Sequence, residues 1–312
     1  MFPWGTRYQW EQRTFSWGMI HRLRRGDIDI VHVADPLLAE LLRRQSRTLN
    51  ITVVYKDGLL LGPDFSRRFD WVQVLAPYYL ERGIEARCDT QRWAVIPHLV
   101  HTDHFRPSQD RNGARAHCPG GPLPADVLLA AAVGDFSAAS NKRLDHLIEE
   151  FASIQSKNAP HLLLAGQAEG TVLRQFSDVA KARLGSRAHV RPNILPEQMP
   201  ALFASADFFV HGALREPFGI VFLEAMASGL PIIAHHWAVT QWILGDGGTS
   251  IDMEARGSLA RHLVSWQSDP GVREAAALRA RARAELHFDR RKIVPLYVDF
   301  QRKIRESMSR ES

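Results

Sequence analysis

The sequence contains few cysteines and no long hydrophobic segment. Its two cysteines, Cys88 and Cys118, are too few for a disulfide framework or a cysteine metal cluster, and they fit a reducing cytosol. No run reaches the ~18 apolar residues of a transmembrane helix. Residues 1–18 lack the continuous apolar segment of a signal peptide. These absences favour a cytoplasmic protein.

Motifs for two large classes of protein are also missing. No Gly-x-Gly-x-x-Gly follows a predicted strand, which argues against a dinucleotide oxidoreductase, and no nucleic-acid-binding motif occurs. The 312 residues, 45% hydrophobic and 23% charged, are typical of a globular chain of two domains. The formal net charge of +5 suits anionic ligands, or peripheral contact with the inner face of an anionic membrane.

Short apolar runs alternate with helical patterns along the chain. Strands are predicted at residues 29–33, 51–55, 71–75, 93–97, 127–133, 162–164, 189–191, 207–211, 231–234 and 250–252. This alternation predicts the α/β class, with two Rossmann-like, doubly wound parallel sheets. The predicted domains are residues 1–107 and 125–287, joined by a linker at 108–124 and followed by a helix at 288–312 that returns to the first domain.

Helix signals support these elements. Asp35 before Pro36 predicts a capped helix start. Leu144, Leu147, Ile148, Phe151 and Ile154 follow helical spacing and predict one buried face. The stretch up to residue 25, with Trp4, Trp10 and Trp17, has no clear period. It predicts an irregular lead-in and then a helix over Thr14–Leu23.

The stretch 215–229 organises the second domain. It follows the predicted strand 207–211, and Pro217 and Gly229 are typical of a helix start and a helix end. Residues 220–227 are apolar except for Glu224, so the helix is expected to be buried. A buried carboxylate needs a partner, and the diol of a ligand would supply one.

An anion site is expected at the start of that helix. The N–H groups of Phe218, Gly219 and Ile220 would hold a phosphate with help from the helix dipole, and Gly219 would allow close approach. If the stretch were wholly helical, Glu216 and Glu224 would lie about 12 Å apart at ~1.5 Å per residue. That distance matches a sugar, a diphosphate and a ribose laid end to end.

The segment from Glu216 to Pro231 resembles the donor signature of retaining GT-B glycosyltransferases of family 4 (group 1). It reads Glu216-Pro-Phe-Gly and then, eight residues after Glu216, Glu224-Ala-Met-Ala-Ser-Gly-Leu-Pro. The resemblance implies that Glu216 contacts the donor sugar catalytically and that Glu224 contacts the ribose. It implies a hexosyltransferase that uses a nucleotide diphosphate sugar and a hydroxyl acceptor, without metal or cofactor. A pair of solvent-facing glutamates is the alternative interpretation.

Residues after other strands of the second domain are expected to complete the donor site. Lys142 precedes a helix and resembles the family's diphosphate-binding lysine, although Asp135 stands where the family has arginine. Arg143, beside Lys142, is a candidate to compensate. Gly134, Gly166 and His211 follow or end strands and are further donor-side candidates, because ligands of parallel sheets bind beyond the carboxyl ends of strands.

Evidence for an acceptor site is weaker. His32, Lys56 and Asp57 lie at strand ends of the first domain and are acceptor-side candidates, although residues 55–58 lack the histidine that the family places there. Val95 to Pro107 resembles the end of the family's first domain, with His98 in place of asparagine. His98, His101, Asp103 and His104 are either a metal cluster or, as we expect, part of a solvated crossover.

The first domain lacks the family's Gly-rich opening before residue 28, and about two strand–helix units of a six-stranded sheet are not found. The expectation is a reduced domain, a truncation or a misassigned start. The alternative function is therefore a non-catalytic or truncated remnant that binds the nucleotide sugar without transfer. Another GT-B enzyme, such as an epimerase or a phosphorylase, is less favoured by the Pro-Phe-Gly motif.

Overall fold

The computed structural model describes residues 6–137 and 140–311. The chain divides into two compact units, Met1–Pro97 with Pro295–Ser312, and His98–Val294. The segment predicted as a linker, residues 108–124, lies within the second unit and contains a helix, Arg111–Ala116. Trp4 of the predicted lead-in lies outside the described residues.

The first unit contains a parallel sheet of four strands in the order β1-β2-β3-β4. All four were predicted within a few residues, and side chains such as Val54, Tyr55 and Val72 are fully buried in its core. The strands are β1 (Ile30–Val33), β2 (Thr52–Asp57), β3 (Trp71–Val74) and β4 (Trp93–Val95), and the helices are α1 (Thr6–Leu23), α2 (Pro36–Leu49), α3 (Pro63–Ser66) and α4 (Pro77–Glu85).

The ends of the first two helices test two predictions. Asp35 caps α2 as predicted, because its carboxylate accepts the N–H of Leu38 at 2.9 Å, and Pro36 is the first helical residue. The predicted irregular lead-in is wrong from Thr6 onward, because α1 is helical up to Leu23. The aromatic residues hide the helical period there, but no Pro or Gly interrupts the first three turns.

The second unit contains a parallel sheet of six strands in the order β10-β9-β8-β5-β6-β7. This is the doubly wound order, with the first strand of the unit at the centre, as predicted. The strands are β5 (Leu129–Val133), β6 (His161–Gly166), β7 (Ala188–Pro192), β8 (Phe208–His211), β9 (Ile232–His235) and β10 (Gly248–Ile251).

Helices follow the strands of this sheet. They are α5 (Arg111–Ala116), α6 (Leu144–Ala152), α7 (Gly170–Leu184), α8 (Met199–Ala204), α9 (Ile220–Ala227), α10 (Ala238–Leu244), α11 (Ser258–Ser268) and α12 (Pro270–Arg283), with α13 (Arg290–Glu311) continuing into the first unit. The five predicted apolar residues from Leu144 to Ile154 are all buried in the core. Among the described helices, none is both long and apolar enough to cross a bilayer.

A pair of histidines on the neighbouring strands β6 and β7 is expected to make the stability of the protein depend on pH. The rings of His161 and His189 stack, and Nδ1 of His161 lies 3.0 Å from Nε2 of His189. Burial, with the charges of His161 and Arg191, lowers the pKa of His189 to about 4. An unfolded histidine binds a proton near pH 6.5, so between pH 6.5 and 4 protons favour the unfolded chain. We expect the Tm to fall as the pH is lowered from 6.5 to 4, and to fall less for the variant His189→Gln. An equal fall in Tm for both proteins would contradict the lowered pKa of His189.

Candidate functional site

At the central strand of the second sheet, the order in which the strands are added reverses. β5 pairs with β6 on one side and with β8 on the other, so the loops after β5 and β8 separate there. Such a switch point forms a crevice beyond the carboxyl ends of the strands, where ligands of open α/β sheets bind. Lys142 follows β5, His211 is the last residue of β8, and Glu216 follows β8.

These three side chains form one buried network. One carboxylate oxygen of Glu216, Oε2, accepts a hydrogen bond from the Nζ of Lys142 and another from the Nε2 of His211, 2.9 Å away. The side chains of His211 and Glu216 are 1% and 7% exposed, and that of Lys142 is 26% exposed. The sequence placed these three residues at one sheet edge, but it did not predict that Lys142 pairs with Glu216.

The charge state of the network follows from its environment. Burial lowers the pKa of His211, so the ring is neutral at pH 7 and acts as a hydrogen-bond donor. Burial also raises the pKa of Glu216, but the hydrogen bond from His211 and the charge of Lys142 outweigh it and bring that pKa to about 2. Glu216 is therefore a carboxylate with its position set from two sides.

The second oxygen of Glu216 remains available. Within the part of the chain that the structure describes, Oε1 makes no hydrogen bond, and it is not among the fully buried polar atoms that lack a partner. An ionised carboxylate has acceptor capacity for more than one donor on each oxygen. Oε1 can therefore accept a hydroxyl group of a ligand in the crevice.

The helix that follows begins later than predicted. Pro217 is not its first residue, because α9 starts at Ile220 after Gly219, which has a φ of +80° that breaks the helical run. A Cβ on Gly219 would lie 2.8 Å from the ring of Phe222 and 2.9 Å from the Cγ of Glu216, so only glycine fits here. The 12 Å spacing for a continuous helix consequently does not apply. The predicted end of the helix is confirmed at Gly229, with φ +71°.

Three backbone N–H groups at this helix start have no protein acceptor. The N–H groups of Phe218, Gly219 and Ile220 donate to no acceptor within residues 6–137 and 140–311. The side chain of Phe218 is buried beside the ring of His98, at a centroid distance of 5.1 Å. Phe218 can thus reach a ligand through its backbone only, and the three N–H groups are of the kind that can donate to an anion at a helix start.

Glu224 lies one turn into α9, among buried neighbours. Phe222, Leu223, Ala225 and Met226 are all fully buried, whereas Glu224 is partly exposed. No hydrogen bond or ion pair to its carboxyl group occurs among the described residues. Burial raises the pKa of Glu224 to about 7. A carboxyl group without a partner in such surroundings costs folding free energy, which a ligand hydroxyl pair would recover.

Gly134 and Gly166, two of the predicted site residues, allow the backbones after β5 and β6 to lie close together. The N–H of Gly134 donates to the carbonyl of Ala165 at 2.9 Å, and a Cβ on Gly166 would lie 1.7 Å from the carbonyl oxygen of Gly134. The guanidinium of Arg143 lies 3.5 Å from the carbonyl oxygens of Gly212 and Met253. Arg143 therefore faces backbone carbonyls in this structure.

A cavity of about 630 Å³ adjoins Gly166 at the carboxyl ends of the outer strands. Its wall includes Asp135, Gln167 and residues 193–196. Asp135 is exposed and accepts the N–H of Ser137 at 2.6 Å, so its carboxylate supports its own loop. The sequence did not single out residues 193–196, because the short segment Asn-Ile-Leu-Pro after a strand carries no distinctive pattern.

The predicted acceptor-side residues lie at the carboxyl ends of β1 and β2 in the first unit. Asp57 is buried, accepts the hydroxyl of Ser66 at 2.9 Å, and has its pKa raised by burial to about 6. His32 lies 2.7 Å from the side-chain nitrogen of Gln301, and burial and the nearby charge of Lys56 lower its pKa. Burial also lowers the pKa of Lys56.

Within residues 6–137 and 140–311, one group of three metal-ligating side chains has its ligand atoms within 4.8 Å of one another: His235, His236 and Asp252. Asp252 follows β10, whereas His235 ends β9, so nothing local in the sequence connects the aspartate with the two histidines.

The chain is similar in sequence to known proteins. Residues 124–284, about half of the chain, match the family model described as glycosyl transferases group 1. A D-inositol 3-phosphate glycosyltransferase from Streptomyces avermitilis is 26% identical over 209 residues, which are 64% of this chain and 43% of that protein. The chain thus matches less than half of this relative's length.

Solved structures share the fold. Sucrose-phosphate synthase from Thermosynechococcus elongatus has a TM-score of 0.83 at 19% identity, covering 96% of this chain and 80% of that one. HepE from Anabaena, solved with UDP and glucose, has a TM-score of 0.74 at 19% identity, covering 99% and 84%. These likenesses confirm the predicted fold of two parallel-sheet α/β units, the GT-B type. With the family model matching half of its residues, the chain belongs to the glycosyl transferases group 1 family.

Proposed function

We propose that the protein is a retaining glycosyltransferase that moves a hexose from a nucleotide diphosphate sugar to a hydroxyl acceptor. The observation that carries this proposal is the arrangement around the start of α9. Along the chain, the paired carboxylate of Glu216 precedes three open N–H groups, and the unpaired carboxyl group of Glu224 follows them. This order of groups suits a sugar, a diphosphate and a ribose.

The diphosphate is proposed to bind at the N–H groups of Phe218, Gly219 and Ile220. These groups and the α9 dipole stabilise negative charge without reorganisation. Lys142 is close enough to share its charge between Glu216 and a phosphate. During transfer the bond from the anomeric carbon to the diphosphate breaks, the acceptor oxygen takes its place, and the proton of the acceptor hydroxyl passes to an oxygen of the departing diphosphate. The charge that develops on the leaving diphosphate is then held by Lys142 and the helix start.

The two glutamates are proposed to hold the hydroxyl groups at either end of the donor. Oε1 of Glu216 accepts from the hexose, while His211 and Lys142 keep the carboxylate in place through Oε2. Glu224 accepts from the ribose diol. The cavity at residues 193–196 is suited to the base, since it lies beyond Gly166 on the same edge of the sheet.

The relatives support the class of donor and leave its identity to experiment. HepE was solved with UDP and glucose, and the Streptomyces relative is named as a glycosyltransferase. We propose that His32, Lys56 and Asp57 of the first unit line the acceptor side. Retention and the hexose are taken from the resemblance of the Glu216 to Glu224 segment.

A panel of UDP-, GDP- and ADP-sugars tests this function. We expect one base to bind in calorimetry and its sugar to be hydrolysed or transferred, with the α or β configuration of the donor kept in the product by NMR. Binding without any turnover would favour the non-catalytic alternative. Inversion at the anomeric carbon would contradict the retaining assignment, and no binding by any of the three would contradict the site.

We also propose that α1 contacts an anionic membrane surface from the cytoplasmic side. Trp10 and Trp17, 62% and 77% exposed, share one helix face with the exposed Arg13. Tryptophan side chains favour the membrane–water interface, and an exposed arginine beside them can contact anionic lipid headgroups.

Sedimentation with vesicles tests this contact. The protein should bind vesicles that contain phosphatidylglycerol, and binding should weaken at high salt and for the double variant Trp10→Ser, Trp17→Ser. Phe15→Ser, on another face of α1 and 56% exposed, is the matched control. Equal binding by the double variant and the control variant would contradict the assigned face.

A further inference from the structure

Two histidines and an aspartate meet at the ends of β9 and β10, and the proposed transfer does not use them. His235 ends β9, His236 follows it, and Asp252 follows β10. β9 and β10 are paired with His235 opposite Ile251, and the N–H of His236 donates to the carbonyl of Ile251 at 2.9 Å. One ligand atom from each of the three side chains lies within 4.8 Å of the others.

The three side chains are held by the sheet and by local hydrogen bonds. His235 is 8% exposed, and its ring lies 4.4 Å from that of His236 by centroids. Oδ1 of Asp252 accepts the N–H of Glu254 at 2.8 Å, which orients the carboxylate. Nδ1 of His235 accepts the N–H of Met253 at 3.2 Å. A parallel strand pair, with its rigid register, thus presents the ligand set.

The geometry of the three groups suits a cation. Two imidazole rings and a carboxylate at the ends of neighbouring strands offer three ligand atoms within 4.8 Å of one another, a separation that one metal ion can bridge.

We propose that His235, His236 and Asp252 bind one divalent first-row transition-metal ion, such as Zn²⁺. Two imidazole nitrogens and one carboxylate oxygen are ligands that Zn²⁺ prefers, whereas Mg²⁺ and Ca²⁺ prefer oxygen ligands throughout. Three protein ligands leave one tetrahedral position open to water or another ligand. Because a bound ion takes a ring lone pair of His235, the hydrogen bond from Met253 to that ring is lost or redirected.

Calorimetry with Zn²⁺ on the full chain, without nucleotide, tests this site. We expect one ion per chain, and at least ~10-fold weaker binding for His236→Gln and for Asp252→Asn, since even the loss of groups that orient a ligand costs 10- to 100-fold. Both side chains are exposed, so these variants should fold. His117→Gln, an exposed histidine elsewhere, is the control and should bind like the wild type.

Two further measurements separate this site from scattered surface histidines. Co²⁺ should give visible absorption of a site with fewer than six ligands in the wild type and in His117→Gln, but not in His236→Gln. The amide resonance of Met253 should shift on saturation with Zn²⁺. Affinity that is unchanged by both substitutions, or an unshifted Met253 amide at saturation, would overturn the proposal. Nucleotide binding is measured separately, so either site can fail alone.

Discussion

Replacing Glu216 by glutamine should lower kcat for transfer by about 10²- to 10³-fold, the usual effect of removing one preorganised electrostatic group. The amide keeps the shape of the side chain, but it removes the charge that pairs with Lys142. Because its oxygen has to face the donors Lys142 and His211, its NH2 group replaces the oxygen that would accept a hexose hydroxyl. Nucleotide affinity should change much less, because the N–H groups of α9 and Glu224 remain. Steady-state kinetics with the donor identified from the panel measures the loss.

Glutamine is preferred to alanine because the pair is buried. Removing one member of a buried ion pair without a replacement costs ~3–5 kcal/mol, which would confuse loss of function with loss of fold. Glu274→Gln, an exposed carboxylate on α12, is the matched control and should leave kcat unchanged. A Glu216→Gln protein with wild-type turnover would contradict the role assigned to this residue.

Replacing Glu224 by glutamine should weaken the binding of a nucleoside diphosphate by about 10-fold or more and should stabilise the free protein at pH 8. Hydrogen bonds to a charged acceptor contribute ~1.5–3 kcal/mol each, which accounts for the lost affinity. The stabilisation has a separate cause. The pKa of Glu224 is raised to about 7, whereas an unfolded glutamate titrates near 4.5.

The sign of the stability change follows from linkage. Between pH 4.5 and 7 the folded chain holds a proton on Glu224 that the unfolded chain has lost, so stability falls as pH rises through this range. Above pH 7 the buried charge opposes folding, and the amide of the Glu224→Gln variant carries no charge. Urea unfolding at pH 8 and pH 5 should therefore show that the gain from the substitution is larger at pH 8.

Binding should show the opposite dependence on pH. A ribose diol donates to the ionised carboxyl group, so nucleotide affinity of the wild type should rise between pH 6 and 8. In the Glu224→Gln variant, affinity should change with pH only through ionisation of the nucleotide phosphate. That change is subtracted from the change measured for the wild type. If the variant kept wild-type affinity, or lost stability at pH 8, Glu224 would not be an unpaired carboxyl group awaiting a ligand.

The sequence predicted most of the fold, because parallel strands buried on both faces are short apolar runs. Phe208–His211 and Ile232–His235 are such runs, and both strands lie within a residue of their predicted positions. The start of α9 was misplaced, since Pro217 is typical of a first helical position. The helix begins only after Gly219, which has a positive φ and leaves no room for a Cβ beside Phe222 and Glu216. Local signals do not carry such tertiary constraints.

The sequence predicted the members of the candidate site better than their contacts. Lys142 and Glu216 were both placed beyond strand ends, but their pairing depends on β5 and β8 being neighbours, a property of the strand order. His211 was predicted as a donor-side residue from its place at a strand end, but its contact with Glu216 was not. That contact forms only because Glu216, five residues on, folds back to the Nε2 of the ring.

A crystal structure with the tightest-binding nucleoside diphosphate of the panel tests the donor site most directly. We predict both ribose hydroxyls at hydrogen-bond distance from the carboxylate of Glu224. The terminal phosphate should lie against the N–H groups of Gly219 and Ile220, with Lys142 beside it. A nucleotide bound elsewhere, or bound here with its ribose turned away from Glu224, would contradict the account.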